Sequence, residues 1–176
     1  MAGNSDKPTG FGFLTVRVDE IAIAAAGQYG YSPGGLVLEY GAAATLNVGD
    51  VVYISGANQV NKSNVAATVL GKVAGVVVGG TRTDMRAIDR KLDVGIQAAQ
   101  VNERVLVLVY GKFWVVSDAA ITAGDPLTPG TGTAGRAKTG TVTTDLVAGD
   151  TGRLIGNALE LAGGAAVTIL ASINLH

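Results

Sequence analysis

Three aspartates sit in the same local setting, each directly after a glycine. They are Asp50 in Leu46-Asn47-Val48-Gly49-Asp50, Asp125 in Ile121-Thr122-Ala123-Gly124-Asp125 and Asp150 in Leu146-Val147-Ala148-Gly149-Asp150. Carboxylates brought together in pairs can hydrolyse glycosides, and clustered ones can hold calcium. Here a local role comes first: glycine takes positive φ, aspartate hydrogen-bonds its own backbone, and the apolar run after Asp50 reads as a strand launched from a tight turn. A carboxylate hydrolase would require Asp50, Asp125 or Asp150 to converge with a second acid in a cleft. Gly130-Thr131-Gly132-Thr133-Ala134-Gly135 matches G-x-G-x-x-G letter for letter. Dinucleotide binding needs that loop to leave a strand and open a helix, and Pro129 before it with Gly140 after it oppose this. A phosphate-binding loop would need Lys and Ser or Thr where Arg136 and Ala137 stand.

The remaining chemistry is narrow. Cysteine is absent and the only histidine is His176, so thiolate catalysis, zinc-thiolate sites and a Ser-His-Asp triad within one chain are excluded. No cofactor and no metal are expected. Arg82, Arg86 and Arg90 recur at every fourth position behind Asp84, a potential N-cap, so a short helix there would line up the three guanidinium groups. That segment reads either as a solvated charged face, partly neutralised by Asp84 and Asp89, or as a docking patch for an acidic surface on another chain.

These residues are set in a chain of 176 residues, long enough for one domain with a sizeable core. Charged residues make up 15% against about 25% in ordinary soluble proteins, and hydrophobic residues 48%, which suits a surface that other chains cover. A net charge of −1 supplies no basic footprint for nucleic acid. Val105 to Tyr110 is the most apolar run and falls far short of the roughly 20 residues of a membrane helix. Met1 to Thr9 is polar and lacks the apolar stretch of a secretory leader, so a protein made and kept in soluble form in a cytoplasm-like setting is expected.

The 26 glycines and the many Val, Ala and Thr residues point to short strands and tight turns. The expected fold is all-β: a small β-sandwich or partly closed β-barrel with an extended N-terminal arm and at most one or two short helices. Residues 1–41 read as the arm and lead-in strands, with Phe11, Phe13, Leu14 and Val16 as an apolar set able to lie on another surface; 21–27 is strand or helical turn. Residues 42–176 form the β-rich domain. Within it, Gly71-Lys72-Val73-Ala74-Gly75 and Gly152-Arg153-Leu154-Ile155-Gly156 follow one plan, each after a Gly-Asp turn. Two related turn-strand units, 46–80 and 121–164, are therefore expected, with a charged insertion at 81–100. Val105 to Tyr110 reads as a strand buried on both faces, which Phe113 to Val116 continue or fold back upon, and Trp114 reads as core, with an exposed interface anchor as the alternative.

The order of Leu46-x-x-Gly49-Asp50, Gly71 to Val76, Val105 to Gly111, Ile121 to Leu127 and Gly152-x-x-Ile155-Gly156-x-Ala158-Leu159-Glu160, closed by an apolar C-terminal strand, resembles the capsid cement, or head-decoration, proteins of tailed bacteriophages. The resemblance covers roughly residues 42–176; the N-terminal region and the Arg-containing segment depart from it. It implies a non-enzymatic virion protein, typically a homotrimer, on the outer surface of the expanded head, bridging major capsid proteins. Phe11, Phe13, Leu14 and Val16, with Arg82, Arg86 and Arg90, are then the candidate capsid or inter-subunit contacts. Neither nucleic acid nor membrane is an expected partner. Another virion or surface module, such as a tail tube, head fibre or adhesion domain, fits the same composition.

Overall fold

The computed structural model describes residues 35–63, 73–83, 91–140 and 154–175. They form eleven strands: β1 (Leu36–Ala42), β2 (Leu46–Asn47), β3 (Val51–Gly56), β4 (Gln59–Lys62), β5 (Val73–Gly80), β6 (Gln97–Ala99), β7 (Arg104–Val116), β8 (Pro126–Pro129), β9 (Ala137–Thr139), β10 (Gly156–Ala158) and β11 (Thr168–Asn174). No helix occurs among the described residues, so the fold is all-β, as the composition predicts.

Strands β1, β4, β3, β5 and β7 hydrogen-bond in that order, and β1 returns to β7, closing a five-stranded barrel. Only the β1–β4 contact is parallel, Gly41 against Gln59 and Ala42 against Val60, so the barrel is mixed. Closure removes the free edges that an open sheet of such apolar strands would present. Leu36–Ala42, grouped with the lead-in strands in the sequence, is thus the staple of the barrel.

Strand β7 explains how the rest of the chain is attached. At 13 residues it outruns the barrel: Val105 to Tyr110 pair with β1, and Tyr110 to Val116 pair with β11. Gly111 and Lys112 therefore continue the strand rather than turn it back. Beyond it, β11, β10, β8 and β9 repeat the order β7, β5, β3, β4. The register repeats as well. Val51 faces Val76, which faces Leu108; Pro126 faces Asn157, which faces Ser172. Val52 faces Lys62, and Leu127 faces Thr139. The parallel closure of Ala42 on Val60 has its counterpart in a single parallel bridge, Ser117 to Ala137. The second half is a loosely closed round of the same pairing, with β7 shared between the two.

One side-chain cluster runs through both halves, from Val37 and Val60 to Ile155 and Ile173. Strand β5 is buried at six consecutive positions and β11 at alternate ones, the difference between a strand covered on both faces and one with a solvent face. Each fully buried Val, Leu, Ile or Phe contributes on the order of 1.5–3 kcal/mol. Trp114 is core, edge-on to Phe113 with ring centroids 5.8 Å apart. Gly75 and Gly156 hold equivalent places, at φ +140° and +151°. A Cβ at either would run into the carbonyl of the next strand, at Leu108 or Ser172, so only glycine lets these strands approach.

Candidate functional sites

The two described Gly-Asp turns are built alike and occupied alike. Asp50 accepts the Asn47 N–H at 2.8 Å and the Lys62 ammonium at 3.0 Å. Asp125 accepts the Thr122 N–H at 3.0 Å and the Thr139 hydroxyl at 2.9 Å. Gly49 donates to the Val77 carbonyl and Val77 donates back to Asp50, at 2.8 and 2.9 Å; Gly124, Ala158 and Asp125 repeat this at the same distances. Each carboxylate thus serves as a turn clasp in its own half. Neither has a second acid among the partners described for it, which a hydrolase would need, and Asp150 lies outside the described residues. Burial raises the Asp50 pKa above its ordinary value, outweighing the Asn47 amide and the Lys62 charge that pull it down. No group of three or more His, Cys, Asp or Glu that could hold a metal ion occurs among the described residues.

The glycine-rich stretch from Gly130 to Gly135 is the hairpin between β8 and β9, followed by a strand and not by a helix. Its amides do bind an anion, one supplied by this chain. The Asp118 carboxylate accepts the N–H of Gly132 at 2.6 Å and of Thr133 at 3.0 Å, a backbone nest of the kind that elsewhere holds phosphate. Burial disfavours the charged form of Asp118, but the amides of Gly132, Thr133 and Thr131, with Arg136 nearby, prevail and hold its pKa below the ordinary value. The end of the hairpin is clamped onto the first barrel: Gly135 donates to the Ser63 carbonyl and accepts from Val51, both at 2.8 Å.

Of the candidate basic contacts, Arg82 is described. It follows β5, and its guanidinium grips both carboxylate oxygens of Glu103 at 2.7 Å, while Glu103 also accepts the Gln100 N–H at 2.8 Å. The Arg82 hydrogen bonds, then the Gln100 amide, hold the Glu103 pKa down. Beside this pair Arg104 bridges to Glu39 at 3.3 Å. Arg82 is therefore a partnered cation. Arg86 and Arg90, with Asp84, lie outside the described residues, as do Phe11, Phe13, Leu14 and Val16.

Asp118 carries no local signal in the sequence, because its partners stand 14 and 15 positions downstream. Lys62 escapes a sequence reading for the same reason, since its register against Val52 is what sets it beside Asp50. The letter match of the glycine-rich hairpin is the one signal available, and what it marks is a nest for an internal carboxylate.

No family model matches the chain, and no characterised protein sequence does. Two solved structures are similar in shape. The capsid of Myoviridae phage XM1 aligns at a TM-score of 0.50 with 20% identity, over 80% of this chain and 84% of that one. The N base of the head fibre gp8.5 of bacteriophage phi29 aligns at 0.44 with 15% identity, over 80% of this chain and 95% of that one. The XM1 likeness is one of fold; the phi29 likeness is too loose to argue from.

Proposed function

We propose that this chain is a structural protein of a tailed-phage particle, a cement protein that binds the outer surface of the expanded head as a homotrimer and bridges its major capsid proteins. The observation that carries the reading is that, among the described residues, the aspartates with chemical potential are spent on architecture. Asp50, Asp118 and Asp125 each hold a turn or loop of their own chain. The fold likeness to a phage capsid structure supports the same reading. The family resemblance of residues 42–176 supplies the location. The apolar set Phe11, Phe13, Leu14 and Val16 would dock by adding a strand to a neighbouring sheet, main-chain hydrogen bonds giving the affinity. Arg86 and Arg90 would be the basic contacts, with Arg82 anchored by Glu103.

The test is to mix the purified protein with undecorated expanded heads and image the particles. Ordered density at the three-fold positions is the expected result; bare heads at saturating protein overturn the reading. Deleting residues 1–18 is expected to weaken attachment, and undiminished binding would remove the arm from it.

A further inference from the structure

The glycine-rich hairpin between β8 and β9 touches both halves of the molecule, and three of its glycines have separate duties. Gly130 and Gly132 make the seat of Asp118: a Cβ on Gly130 would stand 2.8 Å from the Asp118 side chain, and one on Gly132 would stand 3.2 Å from it. Gly135, at φ +87°, lies so close to Asp50 that a Cβ there would stand 2.6 Å from a carboxylate oxygen. Its N–H and carbonyl are the groups that meet Ser63 and Val51 of the first barrel. Between the seat and this clamp the chain has little slack. Thr133, whose N–H binds Asp118, accepts the Arg136 N–H at 3.3 Å, and Arg136 accepts the Gly130 N–H at 2.7 Å. Gly135 sits inside the turn that these bonds close.

We infer that this hairpin is a strap across the joint between the two halves, and that Asp118 is its latch. The carboxylate holds the hairpin in the shape in which Gly135 reaches Val51 and Ser63, so Asp118 is a positioning residue that acts on the joint through the strap. The path is one contiguous chain of hydrogen bonds: Asp118 to Thr133, Thr133 to Arg136 around the turn, and Gly135 within that turn to the first barrel. Loss of the latch therefore loosens two bonds at the far end of the strap, although no atom of the clamp itself has changed. The spacing of Gly130, Gly132 and Gly135, which imitates a nucleotide loop, is the spacing that a seat and a clamp on one short hairpin require. The inference stands apart from the function proposed above.

Amide hydrogen exchange of the full chain, followed residue by residue by nuclear magnetic resonance, tests it. Two variants open the latch in different ways: Asp118→Ala removes the carboxylate, and Gly130→Ala keeps it but fills its seat. Both are expected to speed exchange at Gly135 and at Val51 by about ten-fold or more, while the amides of β7 keep their protection. The reverse arm breaks the clamp with Gly135→Ala. It should speed exchange at Gly132 and Thr133, because a coupling between two sites acts in both directions. Faster exchange confined to Gly132 and Thr133 in Asp118→Ala, with Val51 and Gly135 at their wild-type rates, overturns the inference, since the hairpin then frays at its tip and the joint holds without it. A folded Gly135→Ala variant that leaves Gly132 and Thr133 unchanged overturns it as well. If Gly135→Ala does not fold, the two latch variants decide alone.

Discussion

Lys62 reaches Asp50 at 3.0 Å beside the point where the second half of the molecule is clamped onto the first, with Gly135 lying against the same carboxylate. The pair is mostly enclosed, at 28% and 14% side-chain exposure, so each charge depends on the other. Replacing Lys62 by Met leaves a carboxylate without its cation, at a cost of roughly 1–3 kcal/mol near neutral pH. Urea denaturation compared with wild type measures it.

The same pair sets a pH dependence with a definite sign. The Asp50 pKa is raised above 3.8 by burial, so the folded chain takes up its proton at higher pH than the unfolded chain does. Its contribution therefore favours folding as pH falls through the folded value, and is lost as pH rises above it. Loss of Lys62 raises that pKa further. The gap between Lys62→Met and wild type should shrink as pH drops towards about 4, and a gap that widens would contradict the assignment.

Asp118 has the opposite sign. Its pKa is lowered, so its contribution is present above 3.8 and is lost as pH falls through the folded value. Asp118→Ala should cost about 1 kcal/mol, since water can reach the released amides of Gly132 and Thr133. Hydrogen exchange should accelerate at those two amides while strand amides of β5 keep their protection.

Gly156 and Gly163 give a matched contrast. Gly156→Ala forces a Cβ into the Ser172 carbonyl from a backbone at φ +151°, and should cost roughly 2–4 kcal/mol. A methyl group at Gly163 would meet no atom within 4 Å, and Gly163→Ala should stay within about 0.5 kcal/mol of wild type. Denaturation midpoints decide both.

Because β7 belongs to both halves, they should melt together. Trp114, the single tryptophan, lies buried in the C-terminal part of that strand and reports on the second half by fluorescence. Its transition should coincide with that seen by far-ultraviolet circular dichroism. Two separated transitions would mean that the halves are independent units.

What is legible in the sequence is local. Gly-Asp before an apolar run is enough to place the turns at Asp50 and Asp125, and the unbroken apolar stretch from Val105 marks a strand covered on both faces. Gly75 and Gly156 are readable as strand glycines, though the carbonyl each admits is not. Closure of the barrel by β1, the sharing of β7 and the seating of Asp118 depend on register between distant segments. No short window of sequence records such a register. The end of β10 at Ala158 is equally non-local: two residues on, Glu160 accepts the N–H of Leu170 at 3.1 Å.

Val51 offers its N–H to the Gly135 carbonyl, and this bond fastens the second half to the barrel. The corresponding position of the second half is Pro126, which has no N–H to offer. A further hairpin could not be fastened to the second half there by the same bond. Pro126 thus denies the second half the clamp that Val51 provides for the first, and the Gly135 bond joins the two halves at one end only.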